Sequence, residues 1–229
     1  MKNKTIYWAN LSKLTTSESA VHSLLKDIAS SQSTDPRQND AKHINCPAIR
    51  NKHLNTFFST IPYDINVKFD NNVFMTSDTG ITSRPGVYKN SYAFDWNIQR
   101  IFFSEESQIM EVSPAFLHKT SYSQFGHAPS GAFDISKWFR PSSPTFQLWS
   151  GETTFQAKKG EAHLYFNFPS KNQIILQQFE MSESLNEIMQ ICLGYKFIKP
   201  KQSLSAIYEM FTKTKLNQKI IQEIQSNLV

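Results

Sequence analysis

A chain of 229 residues, 39% hydrophobic and 13% aromatic, holds enough apolar material to bury its own core, as one domain or one domain with appendages. Its net charge of +5 is spread over scattered basic residues, densest at Lys158-Lys159 and at the spaced Lys213, Lys215 and Lys219, a solvation pattern that argues against nucleic acid as a partner. No apolar run approaches the ~18 residues of a membrane span, the N-terminus lacks the apolar stretch of a signal peptide, and Cys46 and Cys192 show no metal-type pairing, so a soluble, unprocessed protein with two reduced thiols and no membrane contact is expected.

From the N-terminus, Thr5 to Ala9 reads as a short strand. Ala20, Val21, Leu24, Leu25 and Ile28 recur at helical spacing and predict a helix over 17–29, with Thr15 and Glu18 as its capping box. Residues 30–40 are polar and read as a loop. Pro47 suits the first turn of a short helix that ends near Phe57 or Phe58. Tyr63, Ile65, Val67 and Phe69 alternate as a strand, which Asp70-Asn71-Asn72 turns into a hairpin with residues 73–75. A loop rich in Gly, Pro, Ser and Thr spans 76–90. Residues 91–104 alternate again, with Tyr92, Phe94, Trp96 and Ile98 on one face. Such a stripe is a sheet core before it is a stacking platform for sugars or bases. Strands over 108–112 and 132–139 follow, the second within an aromatic-rich irregular region over 116–144.

The most regular alternation covers residues 145–181, punctuated by Ser150-Gly151, Lys159-Gly160 and Pro169-Ser170, and predicts a β-meander. Within it Ala162, Leu164, Phe166 and Phe168 form an apolar face, and Glu161, His163, Tyr165 and Asn167 a polar one. The period then turns helical. Leu185, Ile188, Met189 and Cys192 follow a Ser184 and Glu187 capping box and stop at Gly194, and two more helices carry Leu204 to Phe211 and Leu216 to Leu228. The expected fold is mainly β with α appendages: an N-terminal strand, helix and loop region over 1–59, an antiparallel two-sheet sandwich, jelly-roll-like, over 60–181, and a C-terminal helical segment over 182–229 packed on that core.

Phosphate loops, dinucleotide turns, nucleophile elbows and HExxH pairs are absent, which takes support from the common nucleotide-binding, α/β-hydrolase and zinc-peptidase readings. The remaining candidates for catalysis are Glu161 and His163, about 7 Å apart at their Cα atoms on one polar strand face. If that face points into a barrel with Tyr165, Asn167, Asp95 and Asn97, it forms a cupin-like pocket for metal or proton transfer. The expected arrangement sends that face to solvent, so that His163→Ala is silent; in the pocket arrangement it abolishes function, and Leu164→Ala is severe in both. His43, Cys46 and His53 are the candidate metal ligands, three at most unless Cys192 joins them. No cofactor is expected.

Cys46-Pro47-Ala48, Asn55-Thr56-Phe57 with Pro62 and Asp64, Trp149-x-Gly151, Lys159-Gly160-Glu161 and Tyr208-x-x-Phe211 together resemble an uncharacterised family of tailed-phage proteins, particularly from phages of marine bacteria. The resemblance spans the chain from Cys46 onward and implies a viral origin with no function attached. The expected role is therefore a non-enzymatic structural or host-interaction protein, made in the host cytoplasm and used in the virion or on a host factor, with a protein partner. The alternative is an enzyme built on the Glu161 and His163 pocket.

Overall fold

In the computed structural model, which describes residues 3–11, 21–30, 46–70, 73–75, 86–88, 91–96, 98–142, 145–198 and 203–229, alternating segments become strands and segments of helical period become helices. The first part of the chain runs β1 (Asn3–Asn10), β2 (Val21–Ser23), α1 (Leu24–Ser30), α2 (Pro47–Lys52), β3 (Thr56–Thr60), β4 (Ile65–Asp70) and β5 (Val73–Met75). Then come β6 (Gly86–Tyr88), β7 (Ser91–Asp95), β8 (Arg100–Phe103), β9 (Ile109–Pro114), β10 (Gly126–His127) and β11 (Gly131–Asp134), with short 3-10 turns at Tyr122–Gln124 and Ile135–Lys137. The last part runs β12 (Thr145–Leu148), β13 (Thr154–Ala157), β14 (Ala162–Asn167), β15 (Gln173–Gln178), α3 (Glu183–Ile198), α4 (Leu204–Lys213) and α5 (Leu216–Ser226).

Among the described residues these strands assort into four sheets, ordered β15-β1-β8, β10-β12-β7-β6, β11-β9-β14-β3-β2 and β13-β4-β5. The pairings are antiparallel except that β1 and β15 run parallel, Asn3 opposite Gln173 and Trp8 opposite Gln178. Residues 145–181 do not form the expected meander: β12, β13, β14 and β15 go one to each sheet. Turns at Gly151 and Gly160, with φ of 88° and 85°, reverse the chain as their composition suggests. Alternation, however, only fixes which face a strand buries. It carries no information about which strand lies beside it.

The sheets enclose an aromatic core. Phe94, Trp96 and Ile98 are buried in it, as expected of that stripe, and Phe94 meets Phe155 edge-on at 5.0 Å while Phe146 packs on Phe155 at 4.8 Å. A second core lies under the C-terminal helices, where Leu185, Ile188 and Ile224 pack against Ile101 and Phe103 of β8. Cys192 is buried there and its thiol is pushed up to about 11 by that burial, so it serves as a small hydrophobe. The protein is mainly β, with several antiparallel sheets and C-terminal helices packed on them.

Several boundaries differ from expectation for identifiable reasons. Residues 21–23 pair with β3 instead of extending the helix, which is confined to α1; Thr15 and Glu18 lie outside the described residues. So do the polar loop over 31–40, the turn at 71–72 and most of the loop over 76–90. Residues 91–104 form two strands, not one. Helix α3 is capped by Ser182, whose Oγ accepts from the Leu185 N–H at 3.2 Å, and continues through Gly194. A glycine inside a helix costs only about 1 kcal/mol, less than the burial of the face that α3 presents.

The strand expected over 132–139 stops at Asp134, whose Oδ1 accepts from the N–H and Oγ–H of Ser136 and the N–H of Gln108, while its Oδ2 accepts from Ser107 Oγ. Burial works to raise the Asp134 carboxyl, but these hydrogen bonds outweigh it and hold the group below its ordinary value. A carboxylate with a depressed folded value adds stability that is present above the unfolded value of about 3.9 and is lost as pH falls through the folded one. Asp134→Asn should therefore flatten the loss of stability below about pH 4 in acid-denaturation curves. An unchanged acid limb would show that these bonds do not favour the ionised form.

Candidate functional site

The site begins with an irregularity in β14. Ala162 pairs with Thr60 and Leu164 with Ser59, so β14 advances two residues while β3 advances one, and His163 is the extra residue of a β-bulge. The bulge resets the alternation. Ala162 packs with Tyr165 and Phe58 on one side, Leu164 and Phe166 join the main core on the other, and His163 turns inward to stack on Trp96 at 4.4 Å. With 3% of its surface exposed, His163 is not on a solvated face, and the expectation that His163→Ala is silent is corrected.

Glu161 does not join it. Its carboxylate accepts from the N–H and Oγ–H of Ser121 at 2.7 and 2.8 Å and from the N–H of Lys158 at 3.0 Å, pinning the segment that leads into the first 3-10 turn. That turn carries Tyr122, whose hydroxyl donates to the carbonyls of Ala162 and His163 and whose ring meets Trp96 edge-on at 5.4 Å. Glu161→Ala should loosen this turn and cost about 1 kcal/mol, because it removes charge-assisted hydrogen bonds and leaves the half-buried Ser121 N–H unpaired, measurable by urea denaturation. A cost near zero would mean that solvent replaces the carboxylate.

Trp96, Tyr122, His127, Phe146, Trp149 and His163 surround a cavity of about 280 Å³, with further wall from the segments over 114–120 and 123–128. Gly126 sets one side. Its Cα lies so close to β12 that a Cβ would stand 2.1 Å from the Gln147 carbonyl oxygen, and this approach places the His127 ring on Trp149 at 4.8 Å. On three residues that line the cavity, four ring nitrogens, Trp96 Nε1, His127 Nδ1, and Nδ1 and Nε2 of His163, are buried without a hydrogen-bond partner among the described residues. Buried polar atoms are nearly always paired, so four around one cavity point to something other than packing. No family model, curated protein or solved structure matches this chain.

Burial, and then the charge of Arg100, hold His163 well below its ordinary value and keep it neutral. Arg100 is itself buried and brought down to about 9 by desolvation. The sign of the resulting pH dependence is fixed: below about pH 6.5 the unfolded chain binds a proton that the native site refuses, so stability falls as pH drops. Wild-type stability should decline between pH 7 and 5 by up to about 1.4 kcal/mol per pH unit on account of His163, and His163→Phe should remove that component. Equal slopes in the two proteins would contradict a neutral buried imidazole.

The other polar residues expected beside His163 diverge from it. Asp95 accepts from Thr145 Oγ1 at 2.6 Å, and Asn97 lies outside the described residues. Tyr165 and Asn167 face the opposite side of the sheet. There the Leu117 N–H donates to the Tyr165 oxygen, the phenol donates to His118 Nδ1 at 2.6 Å, and His118 Nε2–H donates to Asp27 at 3.2 Å. This relay has the form of a catalytic triad, but Tyr165 is 1% exposed and burial pushes its phenol well up, which makes it a poor nucleophile. It ties α1 and residues 115–118 to β14. Nearby, Thr56 Oγ1 donates to Asn167, Asn167 Nδ2 donates to Glu111 at 2.7 Å, and Lys52 completes a chain of satisfied groups.

Of the candidate metal ligands, His43 lies outside the described residues, Cys46 is exposed at the start of α2, and His53 Nδ1 sits 3.3 Å from Thr56 Oγ1. Cys192 is in the second core. Among the described residues no group of three or more His, Cys, Asp or Glu is placed to hold a metal ion, and no helix is long and apolar enough to cross a membrane. The cavity itself was not legible in sequence: Trp96 and His163 sit in alternating strands that read as ordinary sheet, and what sets them apart is the lack of partners for their nitrogens.

Proposed function

We propose that this chain is a non-catalytic binding protein that holds a small ring-shaped ligand in the cavity between Trp96, Tyr122, His127 and His163. The observation that carries the reading is the aromatic cavity itself, three of whose lining residues, Trp96, His127 and His163, carry between them four buried ring nitrogens without a partner among the described residues. Each such group costs about 1–3 kcal/mol when left unpaired, and natural proteins concentrate costs of this kind where function requires them. Aromatic walls with a few convergent polar atoms are the usual composition of a small-molecule site. A catalytic reading has less support, because Glu161 is occupied by Ser121 and Lys158, and His118 by Tyr165 and Asp27.

The proposal includes the setting suggested by the sequence resemblance, a phage protein acting in the host cytoplasm or the virion through a protein partner, and a jelly-roll-like sandwich as the arrangement of the sheets. Phe116, 63% exposed, and Trp149, 47% exposed, both border the cavity and offer such a partner an aromatic contact next to the ligand.

The test compares wild type with His163→Phe by urea denaturation and by titration with small aromatic rings. Replacing a buried unpaired imidazole by an apolar ring of similar shape should raise the stability of the ligand-free protein by about 1–2 kcal/mol while weakening ring binding. A His163→Phe protein that is less stable than wild type, with no ring bound by either, would overturn the proposal.

A further inference from the structure

A second cavity, of about 490 Å³, lies over the face of β14 that presents Tyr165 and Asn167, and among the described residues Phe116 is the only one that lines both it and the cavity at Trp96. Strand register sets its polar wall. Asn167 of β14 stands opposite Thr56 of β3 on one side and Glu111 of β9 on the other, and residues directly opposite on antiparallel strands project to the same face. The three therefore form a row, in which Thr56 Oγ1 donates to Asn167 Oδ1 at 3.1 Å and Asn167 Nδ2 donates to Glu111 Oε2 at 2.7 Å. Lys52 Nζ, from α2, donates to the same Oε2 at 3.4 Å. Both bonds to the carboxylate fall on Oε2, so Glu111 Oε1 accepts nothing among the described residues, and Lys52 keeps two further protons to donate. The outer pair is open to a guest: the Glu111 side chain is 40% exposed and that of Lys52 63%. Strands on three sides hold the carboxylate in place before any ligand arrives.

The charges of this wall cancel. Lys52 and Glu111 are the charged groups among its described residues, and burial, then the charge of Lys52, hold His53 below its ordinary value and leave it neutral at pH 7. An anion would meet Glu111 beside Lys52 and a cation the reverse, so a full charge gains no clean partner here. Phe116 supplies the apolar part of the wall. Its ring is steadied by an edge-on contact with Tyr165 at 5.3 Å and lies 5.9 Å from His53, yet the residue is largely exposed, and the negative face of such a ring attracts weakly positive C–H groups. We infer that this cavity binds the pyranose ring of a neutral sugar, two adjacent hydroxyls spanning Glu111 and Lys52 while a C–H face of the ring lies on Phe116. One hydroxyl donates to Glu111 Oε1 and its neighbour accepts from Lys52 Nζ. Both bonds are charge-assisted and so about twice as strong as neutral ones. A neutral diol meets both without bringing a charge of its own.

Chemical-shift titrations of the full chain with the methyl glycosides of glucose, galactose and mannose test this, with inorganic phosphate and tetramethylammonium as charged comparators. At least one glycoside should bind with a Kd of about 10 mM or tighter, and more tightly than either ion. Glu111→Gln and Phe116→Ala should each weaken that glycoside by about tenfold or more, with urea midpoints confirming that both variants fold. Trp149→Ala, which alters the other cavity, should leave it unchanged. No glycoside bound by wild type at about 50 mM would overturn the inference. So would undiminished binding in Glu111→Gln or in Phe116→Ala, or an ion that binds more tightly than every glycoside. A loss confined to Trp149→Ala would place the sugar in the other cavity and overturn the assignment to this one. The reading of the Trp96 cavity stands or falls on its own test, since the two sites share only Phe116 among the described residues.

Discussion

Gly126→Ala is expected to cost about 3 kcal/mol or more and to disrupt the cavity wall, a larger effect than a single added methyl normally has. The new Cβ would lie 2.1 Å from the Gln147 carbonyl oxygen, 2.7 Å from Phe146 Cε1 and 2.8 Å from Leu148 Cα. Two of those atoms are backbone and cannot rotate away. Relief requires β10 to leave β12, which breaks the pairing of Gly126 with Leu148 and of His127 with Gln147 and puts at risk the 2.8 Å bond from the Trp149 N–H to the Phe125 carbonyl. Strand β10 is only two residues long, so these two pairs are all of its ladder with β12. Gly131→Ala is the control, since a Cβ there meets nothing within 4 Å. Urea midpoints of the two variants should differ widely, and a Gly126→Ala protein within about 0.5 kcal/mol of wild type would show that the strands are not this close in solution.

Trp96→Ala should be the most damaging truncation at the cavity, at about 3–5 kcal/mol. The indole is 1% exposed and touches Phe155, Phe146, Tyr122 and His163 at centroid distances of 5.1, 5.6, 5.4 and 4.4 Å. Its removal merges the existing cavity with the space it vacates, and the surrounding rings belong to different sheets that cannot collapse together. Trp149→Ala, by contrast, removes a ring that is 47% exposed and should cost about 1 kcal/mol or less. Similar losses for the two tryptophans in equilibrium unfolding would mean that the Trp96 site repacks freely.

The elements governed by local rules were legible. Ile65, Val67 and Phe69 line a buried strand face, the Phe94 and Trp96 stripe is core, and the helical spacing from Leu204 is α4, with Phe211 buried near its end. What depends on pairing was not. The bulge at His163 exists only because β14 lies against β3 in a particular register, and without it the alternation sends the imidazole to solvent. The contact of Asp27, His118 and Tyr165 joins residues with no sequence relation, and the regular spacing over 145–181 suggests neighbours that the sheets do not contain.

The dispersal of β12 to β15 has a consequence for how the chain is made. Each sheet takes one of its strands from residues 145–178, and β1, synthesised first, occupies the middle of its sheet, where Asn3 waits for Gln173. Hairpins such as β4 with β5 can close early, but among the described residues none of the sheets is complete until β12, ending at Leu148, about two-thirds of the way along the chain, has left the ribosome. At roughly 5–20 residues per second that interval is of the order of ten seconds or more, during which strand edges stay open. Folding dominated by such distant pairings is slow. The nascent protein should therefore depend on holding chaperones more than its modest length suggests.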